Sequence, residues 1–177
     1  MSKYQATKQH LSNRGMQLLG GAAHLDADIE ALDLAPAAKA AAYALRQAHP
    51  EIVFTSGRRD KAAQARAMAG NIIRNPRWVA ETYKPTPACA ACQKWVDEHP
   101  QSNSQSAIQA GLLDVFESLG DEELGRLSKH LSGEAFDVQP MVDGPNANAV
   151  KASIRALSGL GKFLEEEGGL VRWHVQF

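Results

Sequence analysis

The sequence predicts an α+β domain in which helices surround a small antiparallel sheet. Residues 51–56 (EIVFTS) are rich in β-branched and aromatic side chains, and residues 135–139 (AFDVQ) form a second short strand candidate. Residues 170–177 alternate apolar and polar side chains, which is the period of a half-buried strand. Because long stretches of helical character separate these segments, the architecture is typical of an α+β domain.

Helices are predicted for most of the remaining chain. Residues 35–48 are rich in alanine, and Pro36 stands near the start of that helix, where its missing N–H costs nothing. Asp60 begins a helix that extends to about residue 69, and Asp121 is a plausible N-cap residue for a helix over 121–127. The other predicted helices cover residues 18–34, with a break around Gly20 and Gly21, and residues 90–98, 104–119 and 150–167.

Length and composition exclude several classes of protein. The chain has 177 residues, of which 44% are hydrophobic and 22% charged, and these values predict one domain over residues 1–177. The net charge of −1 excludes a globally basic nucleic-acid binder, although a local basic patch remains open. No apolar run approaches the roughly 20 residues that cross a bilayer. The polar residues 1–15 lack an apolar stretch, so we expect no secretory signal peptide and synthesis in a cytoplasm.

Three residues are predicted to form a metal site. His130 precedes the second strand candidate, Asp137 lies in it, and Gly133 supplies a turn that can bring the two side chains together. His174 lies on the polar face of the last strand, where it can add a third ligand. Three such ligands with an open fourth position have the composition of a catalytic zinc site. Spacing alone leaves a metal-free, hydrogen-bonded His–Asp pair as the alternative.

The segments around these residues resemble the zinc D-alanyl-D-alanine metallopeptidases. That family includes D-Ala-D-Ala dipeptidases, carboxypeptidases and phage L-alanyl-D-glutamate endolysins, and the hedgehog amino-terminal domain shares its zinc fold. Residues 128–137 match the motif S-x-H-x-x-G-x-A-x-D, and Trp173 immediately precedes the last histidine. The resemblance implies a hedgehog-like fold in which His130, Asp137 and His174 bind Zn²⁺.

The resemblance covers roughly residues 51–177, with its motifs in the family's order. Residues 71–126 carry no family motif, and we interpret them as a helical insertion. Residues 1–50 are then a helical N-terminal segment of the same single domain.

The resemblance also implies roles for residues near the zinc ligands. Residues 56–59 match the strand end S-G-x-R, and the resemblance implies that its arginine, here Arg59, polarises the scissile carbonyl or holds substrate. Gln64 fits the longer pattern S-G-x-R-x-x-x-x-Q, and Ser128 corresponds to a serine near bound substrate.

One position departs from the family pattern. The family usually has its general base, a glutamate, three residues before the last zinc histidine, where this chain has Val171. Glu167, the last of three consecutive glutamates, is the candidate replacement, and we interpret the triplet otherwise as a solvated helix end. Gln176 lies on the same strand face as His174 and can orient a water, but it cannot accept a proton.

The resemblance implies a zinc-dependent hydrolase that cleaves peptide stems of bacterial peptidoglycan. A bacteriophage endolysin or a lytic enzyme of the phage particle fits the expected lack of a signal peptide, and we expect a monomer that reaches the cell wall after release. The missing glutamate favours an alternative, a non-catalytic zinc module of the same fold that binds a peptide or a partner protein. A metal-free structural domain of a phage particle is the third hypothesis.

Two groups in the middle of the chain have no family counterpart. Cys89 and Cys92 form a C-x-x-C near a predicted helix start, which would lower a thiol pKa. They can be packing residues, a redox couple, or metal ligands together with His99. The second group can face a glycan or an acidic peptide, or pack the insertion; it comprises Arg74, Arg77, Trp78, Tyr83, Lys84 and Trp95.

Overall fold

The computed structural model describes residues 25–167 and 169–177, and it confirms the predicted α+β class with a small antiparallel sheet. The helices are α1 (Ala27–Glu30), α2 (Pro36–Ala48), α3 (Lys61–Ile72), α4 (Trp78–Thr82), α5 (Pro87–Glu98), α6 (Gln105–Ser118), α7 (Asp121–Leu127), α8 (Lys129–Ser132) and α9 (Pro145–Arg155). The strands are β1 (Phe54–Ser56), β2 (Ala135–Val138), β3 (Lys162–Glu167) and β4 (Leu170–Gln176).

The sheet brings the three sequence motifs side by side. Its four strands lie in the order β1-β2-β4-β3, and each neighbouring pair is antiparallel. Asp137 of β2 stands opposite Ser56 on one side and opposite His174 on the other. Strand register alone therefore places the Asp–His pair next to the end of β1.

The described residues form two hydrophobic cores. In one core, the apolar face of the central strands packs against α2 and α9, through residues such as Phe136, Trp173, Leu45 and Ile154. The other core is helical and is built from α3 to α7, around Met68 and Phe116 among others. Asp137 and His174 alternate with the apolar residues along their strands, so they lie on the opposite face of the sheet from α2 and α9.

The predicted helix over residues 150–167 is wrong in its second half. The helix ends at Arg155, and residues 162–167 are the edge strand β3, which pairs with β4. Gly159, in the connection, adopts a φ of 76°, which a helix does not allow. The apolar residues whose spacing predicted one helical face therefore belong to two elements. Ile154 lies on α9, whereas Phe163 lies on β3 and pairs with Val175.

Three smaller expectations also need correction. Asp121 is the first residue of α7, and the N-cap position belongs to Gly120. Within the predicted helix over residues 18–34, residues 18–24 lie outside the described part, and α1 is helical only over Ala27–Glu30. Val171, expected on a buried apolar face, is 68% exposed.

Helix boundaries elsewhere follow the predicted signals. Pro36 is the first residue of α2, and the side chain of Asp60 caps α3 by accepting a hydrogen bond from the N–H of Ala63 at 2.7 Å. Among the described residues, no helix is long and apolar enough to cross a membrane.

Gly111 is predicted to be essential for the packing of α6 against α5. A Cβ atom on Gly111 would lie 1.8 Å from Cζ2 of Trp95, so Gly111→Ala must displace that ring. We expect the free energy of unfolding to fall by about 1–3 kcal/mol, as is usual for overpacking. Urea denaturation measures the change. Gly125→Ala is the matched control, because its Cβ would meet nothing within 4 Å, and unchanged stability in both variants would contradict the prediction.

Candidate metal centre

His130, Asp137 and His174 converge in one buried cluster. One ligand atom from each residue lies within 4.8 Å of the others, and all three side chains are buried. Nε2 of His130 lies 3.4 Å from Oδ1 of Asp137, and Nδ1 of His174 lies 2.9 Å from the same oxygen. This group of residues could hold a metal ion.

The local sequence around Gly133 positions His130 over the sheet. His130 lies in the short helix α8, and Gly133 ends that helix with a φ of 75° before β2 begins. Nδ1 of His130 lies 2.7 Å from the backbone oxygen of Gly57. Because a carbonyl oxygen can only accept, Nδ1 carries the proton, and the lone pair of Nε2 is free to face the cluster.

Arg59 holds the second oxygen of the cluster's carboxylate. Its Nη2 donates to Oδ2 of Asp137 at 3.0 Å, its Nε donates to Oγ of Ser56 at 2.9 Å, and its Nη1 donates to Oε1 of Gln64 at 3.2 Å. The ion pair is mostly buried, with 16% of the arginine side chain and 3% of the aspartate side chain exposed. Arg59 therefore orients Asp137 and offsets its charge.

Hydrogen bonding sets the protonation state of the cluster. Burial alone would raise the pKa of Asp137, but the adjacent imidazoles of His130 and His174 hold it well below its usual range. Burial alone would lower the pKa of His174, but the adjacent Asp137 raises it above its ordinary value. The carboxylate is thus an anion that both imidazoles face.

The donor set and spacing fit a small tetrahedral cation. Two imidazole nitrogens and one carboxylate oxygen are common zinc ligands, and bonds of about 2.0–2.1 Å put neighbouring tetrahedral ligands about 3.3 Å apart. The 3.4 Å separation of His130 and Asp137 matches this value. The 2.9 Å separation of His174 and Asp137 is a hydrogen-bond distance, so these two atoms must separate by a few tenths of an ångström on metal binding.

A cleft of about 630 Å³ adjoins the cluster. Its walls come from the helical core on one side and from β3 and β4 on the other. The sequence-predicted residues that line it are Arg59, Ser128, His130, Glu167, His174 and Gln176. Gln64 is not among the lining residues, because its amide is buried beneath Arg59 at 1% exposure. The substrate-binding role expected for Gln64 stays a prediction.

A register shift between β3 and β4 brings Glu167 to the cleft. Leu164 pairs with His174, whereas Glu166 pairs with Val171 and Glu167 with Leu170, so β4 has one residue more than β3 between these pairs. Leu170 lies four residues from His174 along β4, which puts Leu170 and its partner Glu167 on the sheet face of His174, and both Glu167 and His174 line the cleft. Glu167 thus lies on a strand, and the interpretation of the triplet as a helix end is wrong.

Sequence analysis named Tyr83 only within the aromatic and basic group that can face a glycan or an acidic peptide, and did not place it beside the metal cluster. Tyr83 directly follows α4, within the segment 71–126 that we interpreted as an insertion, yet it lines the cleft. Its Oη accepts a hydrogen bond from Nε2 of Gln64 at 3.0 Å. Nothing in the sequence links it to Gln64. Its aromatic character among basic neighbours was the one available signal, and that signal fits simple packing equally well.

Neither cysteine of the pair lines the cleft. Cys89 and Cys92 are buried, free thiols on α5. Burial raises the pKa of both thiols, that of Cys92 to about 12, so the expected lowering by a helix start is wrong. The one metal-capable group of three or more residues in the described part of the chain does not include them.

Fold and site together define an α+β protein with a buried His–Asp–His cluster beside an open cleft. Comparison with protein-family models, curated proteins and solved structures finds no match to this chain.

Proposed function

We propose that the protein is a zinc-dependent peptidase that cleaves peptide stems of bacterial peptidoglycan. The observation that carries the proposal is the buried His130–Asp137–His174 cluster, whose ligand atoms lie beside a cleft of about 630 Å³. A cleft of this size is within the range of sites that enclose a small ligand or part of a peptide. A role as a phage endolysin or as a lytic enzyme of the phage particle belongs to the same proposal.

Each cluster residue has a defined part in this proposal. Nε2 of His130, Oδ1 of Asp137 and Nδ1 of His174 would hold the zinc ion. When bound, zinc supplies Lewis-acid polarisation and lowers the pKa of a coordinated water. Arg59 keeps Asp137 in its orientation through Oδ2.

Glu167 is the proposed proton acceptor. Peptide hydrolysis adds water across the amide bond, so a base must take one proton from the water and the leaving nitrogen must gain one. Four carboxylates of the described residues line the cleft: Asp121, Glu122, Glu134 and Glu167.

The other three carboxylates are less suited to this role. Glu134 is engaged by Lys129 and Ser132, Glu122 pairs with Arg126, and Asp121 is 97% exposed. The Glu167 side chain is 19% exposed and shares the sheet face of His174. Among the described residues, the one basic group within 4.0 Å of its oxygens is Arg172, at 3.8 Å, so no described residue holds them in a close ion pair.

Two lysines of the cleft can meet an acidic peptide. Arg126 and Lys129 are paired with carboxylates of the cleft itself, but Lys84 and Lys162 also line it and form no ion pair with the described residues, so they can face the free carboxylates of a peptidoglycan stem. Ser128 and Gln176 offer polar side chains to such a peptide.

Digestion of purified peptidoglycan tests the proposed function. We expect the zinc-loaded protein to release defined peptide fragments, identified by mass spectrometry, and a chelator to stop the release. Restored zinc should restore it. A folded, zinc-loaded protein that releases no fragments would contradict the peptidase proposal.

One observation favours a second candidate, a zinc-containing module that binds peptides without cleaving them. Val171 occupies the position where the resembled family has its glutamate, and it is 68% exposed on the sheet face opposite His174. Such a module would retain peptidoglycan fragments in a pull-down while leaving them intact.

A further inference from the structure

Tyr83 lines the cleft, and its hydroxyl oxygen accepts a hydrogen bond from the buried side chain of Gln64. Its ring packs edge-on against Trp78, with the ring centroids 5.4 Å apart. Its side chain lines the same cleft as His130 and His174. The packing and the hydrogen bond from Gln64 together hold the phenol in one place.

The direction of that hydrogen bond follows from Arg59. A guanidinium can only donate, so the Gln64 atom next to Nη1 of Arg59 must be the amide oxygen. The amide nitrogen of Gln64 then faces Tyr83 and donates to Oη at 3.0 Å. Tyr83 is therefore the acceptor in this bond, and its own proton is left to donate elsewhere.

Among the described residues, no atom accepts a hydrogen bond from the Tyr83 hydroxyl. Burial raises the pKa of Tyr83, and the nearby Glu167 raises it further, so the phenol keeps its proton at neutral pH. Tyr83 is therefore a neutral O–H donor in the wall of the cleft, and the hydrogen bond that its oxygen accepts from Gln64 holds it in position.

Arg59 has less freedom to serve a ligand. All three of its guanidinium nitrogens already donate hydrogen bonds, to Ser56, Gln64 and Asp137. Moving its guanidinium toward a substrate would leave the buried Asp137 charge without its partner, which is costly. The same network that holds Arg59 in place leaves the Tyr83 proton free.

We propose that the hydroxyl of Tyr83 donates a hydrogen bond to the scissile carbonyl oxygen of a bound peptide and stabilises the negative charge that develops there. This inference rests on the proposed peptidase function. It gives Tyr83 the charge-stabilising role that the family resemblance implies for Arg59, and it makes Arg59 a positioning residue. A fixed donor aimed at developing charge needs no reorganisation during the reaction.

Tyr83→Phe removes the donor and keeps the ring. We expect kcat to fall about 10²–10³-fold, as for loss of one such donor, with little change in KM. Affinity for a stem peptide with a tetrahedral phosphinate in place of the scissile amide should fall by a similar factor, because this group mimics the transition state. Zinc affinity, measured by calorimetry, should be unchanged. Tyr43→Phe is the control, since Tyr43 bonds Glu30 and Asp26 outside the cleft.

The outcomes separate the inference from the proposed function. Unchanged kcat and phosphinate affinity in Tyr83→Phe, with an active wild type, would overturn the inference alone. A loss of zinc affinity in Tyr83→Phe would show that the phenol acts through Gln64 and Arg59, and would also overturn it. A wild-type protein that binds zinc but neither cleaves wall peptides nor binds the phosphinate would contradict both. If the wild type binds the phosphinate without cleaving, the affinity ratio of the two proteins still decides the role of Tyr83.

Discussion

Replacement of His174 by alanine is expected to abolish zinc binding and hydrolysis together. His174 is one of three candidate ligands, and its Nδ1 lies 2.9 Å from Asp137. Mutation of a residue that only hydrogen-bonds a zinc ligand already lowers zinc affinity about 10–100-fold, so loss of a ligand itself should lower it more. Zinc content by elemental analysis and affinity by calorimetry measure the first effect, and fragment release from peptidoglycan measures the second.

His49→Ala is the matched control for this variant. His49 bonds Oγ of Ser153 at 2.8 Å and does not line the cleft, so its loss should leave zinc content unchanged. His174→Gln is a second variant for the case that the alanine variant fails to fold, because it keeps a polar side chain at the buried position. It should also lose zinc. Full zinc content in folded His174→Gln or His174→Ala would show that the ligand assignment is wrong.

Glu167→Gln is expected to lower kcat by about 10²–10⁴-fold while zinc affinity stays the same. The amide keeps the size and polarity of the side chain but cannot accept a proton, and general-base catalysis contributes a factor of this order. The prediction depends on the register shift between β3 and β4, which puts Glu167 in the same cleft as His174. Steady-state kinetics on a stem peptide give kcat, and calorimetry gives the zinc affinity.

Glu166→Gln makes the same chemical change one residue away. Glu166 pairs with Val171, so its side chain lies on the opposite face of the hairpin, and it is exposed. We expect this variant to match the wild type in kcat and zinc affinity. Equal kcat for Glu167→Gln and wild type would mean that another group accepts the proton. Equal losses in both glutamine variants would indicate a general effect of charge.

Much of the fold could be predicted because its signals are local. Pro36 begins a helix, Asp60 caps one, and Gly133 makes the left-handed turn that sets His130 above β2. The alternation along the last strand also predicted that His174 would share a face with Gln176. These effects require only a few neighbouring residues, so they can be read from one sequence.

The misassigned strand β3 depends on tertiary contacts. Its apolar residues continue the helical spacing of α9, and nothing local shows that Phe163 will pair with Val175. Sheet pairing with a distant segment overrides local propensity in such cases. The candidate site shares this difficulty: Glu167 reaches it through an irregularity in strand register, and Tyr83 reaches it from a helical segment without any motif.

The pairing of Asp137 with Arg59 has a consequence for the electric field inside the cleft. The carboxylate is the single anion of the cluster, and the guanidinium already balances it. A divalent ion held by this cluster would therefore keep most of its double charge, which Glu167, a carboxylate that shares the cleft with His174, would offset only in part. The remaining positive charge attracts anions, so a carboxylate-bearing ligand should gain more affinity from metal loading than its neutral amide counterpart.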